Sequence, residues 1–488
     1  MFVRLARVLH GSGSHEPAAS PFGNPSLSTT NWRKSMAAGA SHSIQEILDR
    51  EPLRWQQWLI FSLCFIVTVL DGFDTQVIAY TGPAIAEAFG MAPADMTYIF
   101  ISGTLGMAVG AMALGSVGDK IGRRPAILGA MLLFGLFSLL IAFATSPAEV
   151  VVLRFLTGLG MGGATPVVLA LAAEYAPGRA RGTVLTGVLL GLPLGAVLGG
   201  MLASAWMPAI GWQGIYLVGG ALPLAMLLVS LAVLPESPQF LVARGKAGDE
   251  QKSRALVARI IARQVPAETR FVPVEKVVKG SVAALFAPAY RTNTVAVWTI
   301  YLFNWVAWFM LLLWLPTALT TAGLPPATAA MGTVTVNTAF LIYAIPLSLA
   351  LPKVNVRRLL IGMFALGIAV CLGLAAAGEN WTAVFVLVAV AGFGVGGQQL
   401  ALNYLISGIY PTELRATGTG WAIGIGRTGA ILGSALGGFF LQVGGVSGYY
   451  LGIAVPLAAA TLAVALIRAR SEPEGAARQL RRDLRSST

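Results

Sequence analysis

The chain has 488 residues, of which 56% are hydrophobic and only 11% are charged, with a formal net charge of +12. Soluble domains are about 45–50% apolar and about 25% charged, so this composition excludes a soluble globular protein and indicates a membrane protein. The alternation of apolar and polar residues that a membrane β-barrel needs is absent. Helices are therefore expected to satisfy the backbone in lipid.

The first 54 residues are rich in Ser, Ala, Gly and Pro and lack the uninterrupted apolar core of a cleaved signal peptide. We predict that this N-terminal tail, 1–54, is largely disordered. Met36 lies shortly before the first apolar window, so translation from Met36 instead of Met1 is an open alternative.

Apolar windows of the length that crosses a bilayer as a helix, about 20 residues, then follow one another. The windows are 56–82, 96–117, 125–144, 147–171, 182–205, 212–234, 293–320, 327–351, 357–377, 380–408, 416–441 and 446–467. A polar, basic central loop, 235–292, separates a first half, 55–234, from a second half, 293–468, and 469–488 form a C-terminal tail. The sequence thus predicts an all-α membrane protein with twelve transmembrane helices in two six-helix bundles.

Positive charge is confined to one side of the predicted bundles. Of the 33 Lys and Arg residues, all except Arg154 and Arg427 lie in the tails or in alternate connections, and the opposite connections carry only acids among their charged residues. This asymmetry predicts that both termini are cytoplasmic. Because it also accounts for the net charge, no nucleic acid partner is expected. Cys64 and Cys371 lie within spans and indicate neither a disulfide nor a metal site.

Asp71 and Asp74 lie in the middle of the first span, where an ionised carboxylate costs several kcal/mol. Such residues therefore indicate a function, and a transport pathway is the first interpretation. Their i, i+3 spacing places both on one helix face, which we expect to line the bundle interior or a watery cavity. Arg154 in span four lies at about the depth of Asp71, so the two can pair, and the carboxylate can exchange its cation for a proton. A permanent structural ion pair is the alternative.

The connection between spans two and three combines an acid, cations and glycines. The candidate gating residues are Gly115, Asp119, Lys120, Gly122, Arg123 and Arg124. Such charges at helix ends suit a latch that closes the cytoplasmic side, whereas anchoring by positive charge alone is the alternative. The corresponding loop of the second half has Pro352 in place of the acid, so we expect a gating ion pair in the first half.

A helical stretch in the central loop, 251–263, carries an apolar side consistent with lying on the cytoplasmic surface.

Arg427 lies near the middle of span eleven with no acidic residue in the same helix. Its planar guanidinium suits a bidentate contact with a substrate carboxylate, and a snorkelling or carbonyl-capping arginine is the alternative. Deep tryptophans offer walls for a ring, and nearby amides can hydrogen-bond ring hydroxyls, although packing alone also explains deep tryptophans. These candidate substrate-binding residues are Asn304, Trp305, Trp308, Gln398, Gln399, Asn403 and Trp421.

The two halves repeat a pattern of a Tyr-containing connection followed by a glycine-rich helix. Tyr175-Ala-Pro-Gly-Arg precedes span five and Tyr410-Pro-Thr-Glu-Leu-Arg precedes span eleven, and glycines then recur every four residues in each span. The repeat predicts two related bundles. The glycine stripes indicate close helix packing, or a surface along which the halves move.

These motifs resemble those of the major facilitator superfamily, in which paired six-helix halves hold a site near the midplane. The residues from Gly115 to Arg124 are similar to its cytoplasmic loop signature, and Arg154-x-x-x-Gly158-x-Gly160-x-Gly162 is similar to its span-four motif. Within the superfamily, Asp71-Gly-Phe-Asp74 resembles the first-span signature of the aromatic acid:H⁺ symporters. Further agreement comes from Pro235-Glu-Ser-Pro, Trp314-Leu-Pro-Thr, Gly397-Gln-Gln and Gly426-Arg-Thr-Gly.

We therefore predict a proton-coupled importer of aromatic carboxylates of the benzoate and hydroxybenzoate class, working by alternating access in a bacterial inner membrane. Asp71, Asp74 and Arg154 are the expected proton-coupling residues. No cofactor is expected besides the coupling proton, and the protein is expected to function as a monomer in the bilayer. A symporter of another organic anion or metabolite, or a drug exporter, is the alternative. A sensor or enzyme is disfavoured because all three His precede the first span and no intramembrane metal or nucleophile cluster occurs.

Overall fold

The computed structural model describes residues 41–266, 269–272 and 281–467. Within them, ten helices are long and apolar enough to cross a membrane. Two of these helices are interrupted by a glycine with non-helical, positive-φ backbone, which glycine adopts without steric cost: Gly211 (φ 68°, ψ 176°) and Gly445 (φ 60°, ψ −157°). Each interrupted helix holds two consecutive spans, so the described residues contain the twelve predicted spans.

We number the spans in chain order. Spans one to four are Trp55–Ala88, Met96–Ile121, Arg123–Ile141 and Pro147–Tyr175. Span five combines Gly178–Leu189 with 191–210, and span six is 212–233. Spans seven to nine are Arg291–Thr321, Pro326–Ala350 and Val356–Ala376. Span ten combines Trp381–Ala391, a π-helical turn at Gly392–Gly396, and Gln398–Ile409, and spans eleven and twelve are 412–444 and 446–466.

The glycine stripes bring equivalent spans together in both halves. A Cβ added at Gly195 of span five would collide with the carbonyl oxygen of Val69 in span one. A Cβ added at Gly433 of span eleven would lie 2.5 Å from the carbonyl oxygen of Val306 in span seven. Only glycine permits helix backbones to approach this closely. Span five therefore packs on span one as span eleven packs on span seven, which gives the two bundles their pseudo-symmetry.

The halves are closed against each other at one end and separated at the other. We call the end that carries the Lys and Arg connections the basic end. At the opposite end, Phe100 of span two packs edge-on against Trp314 of span seven, with ring centroids 4.9 Å apart. Towards the basic end, a Cβ at Gly115 of span two, or at Gly420 or Gly424 of span eleven, would meet nothing within 4 Å. At the opposite end, by contrast, a Cβ at Gly438 of span eleven would collide with the Thr97 hydroxyl of span two, so these two spans touch there and border open space towards the basic end.

Short elements cover the first half at its basic end. Helices Ile44–Arg50, Pro238–Arg244 and Asp249–Ile261 lie there, and strand β1 (Ser41–Ser43) pairs in parallel with strand β2 (Arg270–Val272). Helix Asp249–Ile261 buries Val257, Ile260 and Ile261. The expected disorder of the N-terminal tail does not extend to the helix Ile44–Arg50. The remaining tail, 1–40, and the C-terminal tail, 469–488, lie outside the described residues.

Candidate transport site

Asp71 is buried in span one and accepts hydrogen bonds from two hydroxyl groups. Thr165 Oγ1 of span four donates to Asp71 Oδ2, and Thr75 Oγ1 donates to Oδ1 at 3.4 Å. Thr165 follows Arg154 by eleven residues, which is close to three helical turns, so both side chains lie on one face of span four. Asp71 therefore has polar partners, but no direct ion pair among the described residues.

Asp74 is the acid that pairs with Arg154, so the expected pairing of Arg154 with Asp71 was wrong. Arg154 Nη1 lies 3.7 Å from Asp74 Oδ2 and donates to the Asp74 backbone carbonyl at 3.3 Å. Ser138 Oγ of span three donates to Asp74 Oδ1 at 2.6 Å. Asp74 lies about one helical turn closer to the opposite end than Asp71, and Arg154 lies about three turns closer to that end than Thr165. Depth counting is accurate to about one turn, near 5 Å, and cannot choose between acids three residues apart.

Arg427 reaches from span eleven towards the first half. Its Nη1 donates to the carbonyl oxygen of Met107 in span two at 3.2 Å, and it interacts electrostatically with Asp71 without entering ion-pair distance. Next to it in span eleven, a Cβ at Gly426 would lie 3.1 Å from the ring of Trp305. The half-buried Arg427 guanidinium thus has an acid across the interface between the halves and an aromatic face beside it.

Amide side chains of spans seven and ten form one hydrogen-bonded network next to Trp305. Trp305 Nε1 donates to Gln399 Oε1 at 2.8 Å, and Asn304 Nδ2 donates to the same oxygen at 3.3 Å. Gln399 Nε2 donates to Asn403 Oδ1 at 3.1 Å, as does Tyr301 Oη at 2.7 Å. An indole N–H can only donate, so Trp305 fixes which end of each amide faces its neighbour. The buried Asn304 Oδ1 is left as an acceptor with no partner.

Three candidate residues are not joined to this network. Gln398 is buried and donates to the backbone carbonyl of Gly394 within its own span. Trp308 packs near Phe340, with ring centroids 6.3 Å apart. Trp421 is 45% exposed and stacks on Trp298, with centroids 5.8 Å apart. Trp421 precedes Arg427 by six residues, about 9 Å along a helix, and so belongs to the level of Trp298 nearer the basic end.

The predicted gating residues form a charged network within the first half. Arg123 Nη1 lies 2.6 Å from Asp119 Oδ1, and Arg123 Nε lies 3.2 Å from Glu174 Oε1 of span four. Glu236, which follows span six, accepts the backbone N–H groups of Arg123 and Arg124 at 2.9 and 3.2 Å. Gly122 has φ 116°, a conformation that favours glycine, and lies against the Glu236 carboxylate. Gly115 faces open space, and Asp119 and Lys120 are exposed.

Several residues of the site were missed from the sequence. Thr75, Thr165 and Ser138 hold the two aspartates, and Tyr301 joins the amide network. Helical spacing gives a signal for some of them, since Tyr301 precedes Asn304 by three residues on the same face of span seven. Hydroxyl residues are too common in membrane helices for this spacing to single them out. In the described residues, no group of three or more His, Cys, Asp or Glu could hold a metal ion.

Two related helical bundles, each packed through a glycine stripe and with polar and charged side chains buried between their helices, are the architecture of a secondary membrane transporter. Residues 64–355 and 297–487 match the Major Facilitator Superfamily. The chain belongs to this superfamily, and its resemblance to the aromatic acid:H⁺ symporter family is confirmed. It is a transporter and not an enzyme.

Relatives and solved structures agree with this assignment. The chain is 37% identical to the gallate transporter of Pseudomonas putida over 86% of this chain and 94% of the relative. It is 34% identical to the 4-hydroxybenzoate transporter of Pseudomonas putida over 88% and 96% of the two chains. The crystal structure of a D-xylose–proton symporter superposes with a TM-score of 0.67 and 17% identity, over 85% of this chain and 98% of that one. At this identity, the last comparison concerns the fold alone.

Proposed function

We propose that the protein imports aromatic carboxylic acids of the benzoate and hydroxybenzoate class together with protons, by alternating access. The basic end faces the cytoplasm of a bacterial cell, as the positive-inside rule requires, and the protein works as a monomer in the inner membrane. Similarity to transporters named for gallate and 4-hydroxybenzoate supports the substrate class.

The observation that carries the proposal is the position of Arg427 across the interface from the Asp71 carboxylate. Asp71 of the other half interacts with it electrostatically but forms no direct ion pair. A guanidinium in the middle of a membrane span is costly without a counter-charge, and its planar fork can bind a carboxylate through two hydrogen bonds. A substrate carboxylate and the Asp71 carboxylate therefore compete for one cation.

This competition couples the proton to the substrate. When Asp71 takes up a proton, its negative charge disappears and Arg427 is free to bind the substrate carboxylate. When the substrate leaves, Arg427 again favours the ionised form of Asp71, which releases the proton. Each state keeps the charge of the site nearly balanced, as a membrane interior requires. The Asp74–Arg154 pair, with both charges inside the first half, holds span one against span four and supplies the second proton-sensitive carboxylate.

The test is transport in proteoliposomes with and without a pH gradient. Asp71→Asn mimics the permanently protonated acid, so it should retain exchange of labelled for unlabelled 4-hydroxybenzoate and lose accumulation driven by the gradient. Asp95→Asn, which removes an acid from a connection at the opposite end, is the matched control. Gradient-driven accumulation by Asp71→Asn at the wild-type level would refute the coupling role. Competition by a panel of aromatic acids, other organic anions and cationic drugs tests the substrate class separately.

A further inference from the structure

A cavity of about 540 Å³ lies outside the transport site, at the basic end of the first half. Its walls come from the start of span three, from the segment after span six, and from helices Pro238–Arg244 and Asp249–Ile261. Four cationic side chains, those of Arg124, Arg244, Lys252 and Arg259, line it together with the carboxylate of Glu236. The transport mechanism uses none of the three cations from the central loop.

The carboxylates at this cavity are already engaged. Glu236 accepts backbone N–H groups from Arg123, Arg124 and Ser237 at 2.8–3.2 Å. Asp249 binds Arg244 through two hydrogen bonds of 2.7 Å, and this contact lowers the pKa of the Asp249 carboxyl, which keeps the pair ionised and mutually neutralised. Arg124, Lys252 and Arg259 form no ion pair within the described residues.

Arg124 is held in place yet retains bonding capacity. Its Nη2 donates to the carbonyl oxygen of Leu231, near the end of span six, at 2.6 Å. Its Nε is buried and has no partner. The guanidinium is therefore fixed at the cavity wall without a counter-charge among the described residues and with part of its hydrogen-bonding capacity unused, which suits an anion-binding arginine.

The cavity adjoins the lipid-facing surface of the protein. Leu231 is 47% exposed and Leu228, one turn further into span six, is 69% exposed. Apolar side chains this exposed on a transmembrane helix face acyl chains, so Arg124 marks the level of the lipid headgroups. Leu256 adds an apolar wall beside the cations. This combination of cations, apolar wall and adjoining acyl-chain surface is a feature of pockets that bind anionic lipids.

We propose that this cavity binds the phosphate-bearing headgroup of an anionic phospholipid, with its acyl chains lying along spans three and six. The phosphate contacts Arg124, Lys252 and Arg259. Because these residues belong to span three and to the central loop, a bound lipid links the loop to the bundle at the membrane surface. The site is independent of the aromatic substrate.

The experiment uses the full-length protein purified in detergent and titrated with a short-chain phosphatidylglycerol. Thermal unfolding and native mass spectrometry report binding. Phosphatidylcholine with the same chains tests the need for net negative charge, and glycerol phosphate tests whether the free headgroup is sufficient. The site variant is Lys252→Gln with Arg259→Gln, two exposed side chains whose replacement leaves the buried helix face intact. The control, Lys246→Gln with Lys353→Gln, removes the same charge outside the cavity.

Phosphatidylglycerol should raise the unfolding temperature saturably and remain bound to the wild type and the control, whereas phosphatidylcholine and glycerol phosphate should not. Each basic residue near a membrane surface contributes about 1 kcal/mol, so the site variant should bind phosphatidylglycerol about tenfold or more weakly. If phosphatidylglycerol bound equally weakly to the site variant and to the control variant, net charge alone would explain the binding, and the proposal would be overturned. Saturable binding of glycerol phosphate at the same concentrations would instead identify a soluble phosphate ligand and overturn the lipid assignment.

Discussion

At the scale of single residues, the transport site contains few charged side chains, and each of its two arginines interacts with a single acid. Among the residues that the structure describes, Arg427 interacts electrostatically with the acid Asp71 and donates to the carbonyl oxygen of Met107. Arg154 has Asp74. Each of these charged side chains can be recognised in the sequence, because a charge in the middle of an apolar span is costly and therefore rare. The partners are less predictable, because they depend on rotations and shifts of less than one helical turn.

The first prediction concerns the charge of Arg427. Arg427→Gln should weaken binding of benzoate and 4-hydroxybenzoate relative to benzamide by roughly ten- to a hundredfold, because hydrogen bonds to a charged group contribute on the order of 1.5–3 kcal/mol. Arg427→Lys should recover only part of the loss, since lysine keeps the charge without the planar fork. Binding to purified variants in detergent measures this. Equal losses for acids and amide would make Arg427 structural.

The second prediction concerns the unpartnered acceptor of Asn304. Because Trp305 fixes the orientation of the amide network, Asn304 Oδ1 should favour a ring substituent that donates a hydrogen bond. The wild type should therefore bind 4-hydroxybenzoate and 4-aminobenzoate more tightly than 4-methoxybenzoate, which can only accept. An unsatisfied buried acceptor costs about 1–3 kcal/mol, so the preference should be roughly five- to a hundredfold.

Asn304→Leu, which is similar in volume and lacks the amide, should abolish this preference, measured in the same binding assay. Trp308→Phe alters an aromatic residue of the same span outside the amide network and serves as the control. A preference for the hydroxyl that survives in Asn304→Leu would place the hydroxyl subsite elsewhere, without affecting the assignment of the carboxylate to Arg427.

At the scale of helices, glycine decides which spans touch. The span-four motif illustrates this, because a Cβ at Gly162 would collide with the carbonyl oxygen of Met107, the same oxygen that accepts from Arg427. A packing glycine of the first half is therefore one contact away from the proposed substrate cation of the second half. The motif fixes the distance between spans two and four. It thereby also positions the Met107 carbonyl oxygen, which contacts Arg427 of the second half.

The third prediction follows from that contact. Gly162→Ala should lower the unfolding temperature, because overpacking costs about 1–3 kcal/mol and exceeds the gain of about 0.5–1 kcal/mol from replacing a helical glycine. It should also weaken substrate binding through the displaced Met107 carbonyl. Gly129→Ala in span three is the control, since a Cβ there meets nothing within 4 Å, and it should be neutral or slightly stabilising. Thermal unfolding in detergent and substrate titration check both variants. Wild-type stability of Gly162→Ala would show that span two moves freely.

The sequence was most informative about spans and least informative about the elements outside the membrane. Apolar windows locate all twelve spans because lipid imposes length and composition on each of them. The junctions at Gly211 and Gly445 continue as helix on either side, so neighbouring windows merge where a loop was expected. Helix Ile44–Arg50 was missed because the composition of the tail indicates disorder, whereas the contacts that order the helix come from residues far along the chain. Asp49, for example, accepts a hydrogen bond from the backbone of Gly178.

At the scale of the whole molecule, the structure has one closed end and one open end. Phe100 and Trp314 join the halves at the end away from the basic connections, whereas spans two and eleven diverge at Gly115 and Gly424. In the proposed orientation, this is the state open to the cytoplasm. Asp119 pairs with Arg123 in its own half, and its side chain is 69% exposed. We propose that a latch between the halves forms in the opposite state, in which the gap would close over Asp119.

The last prediction tests that latch. If Asp119 stabilises the state closed at the basic end, Asp119→Asn should shift the population towards the open state seen here. The reason is that the substitution removes an interaction that only the closed state makes. Gly424→Cys reports the shift, since the site faces open space and the native Cys64 and Cys371 are buried. With Asp119→Asn, a membrane-impermeant thiol reagent applied from the basic end should label Cys at position 424 faster, and transport should slow while substrate affinity changes less.

Glu250→Gln is the matched control for the latch, because Glu250 is also an exposed acid paired with an arginine four residues later, at 3.2 Å. It should alter neither labelling nor transport. The opposite effect, slower labelling in Asp119→Asn, would mean that the Asp119–Arg123–Glu174 network stabilises the open state instead. Unchanged labelling together with normal turnover would mean that the loop signature only sets the topology. The free energy that closes the basic end would then have to come from the packing of spans two and eleven.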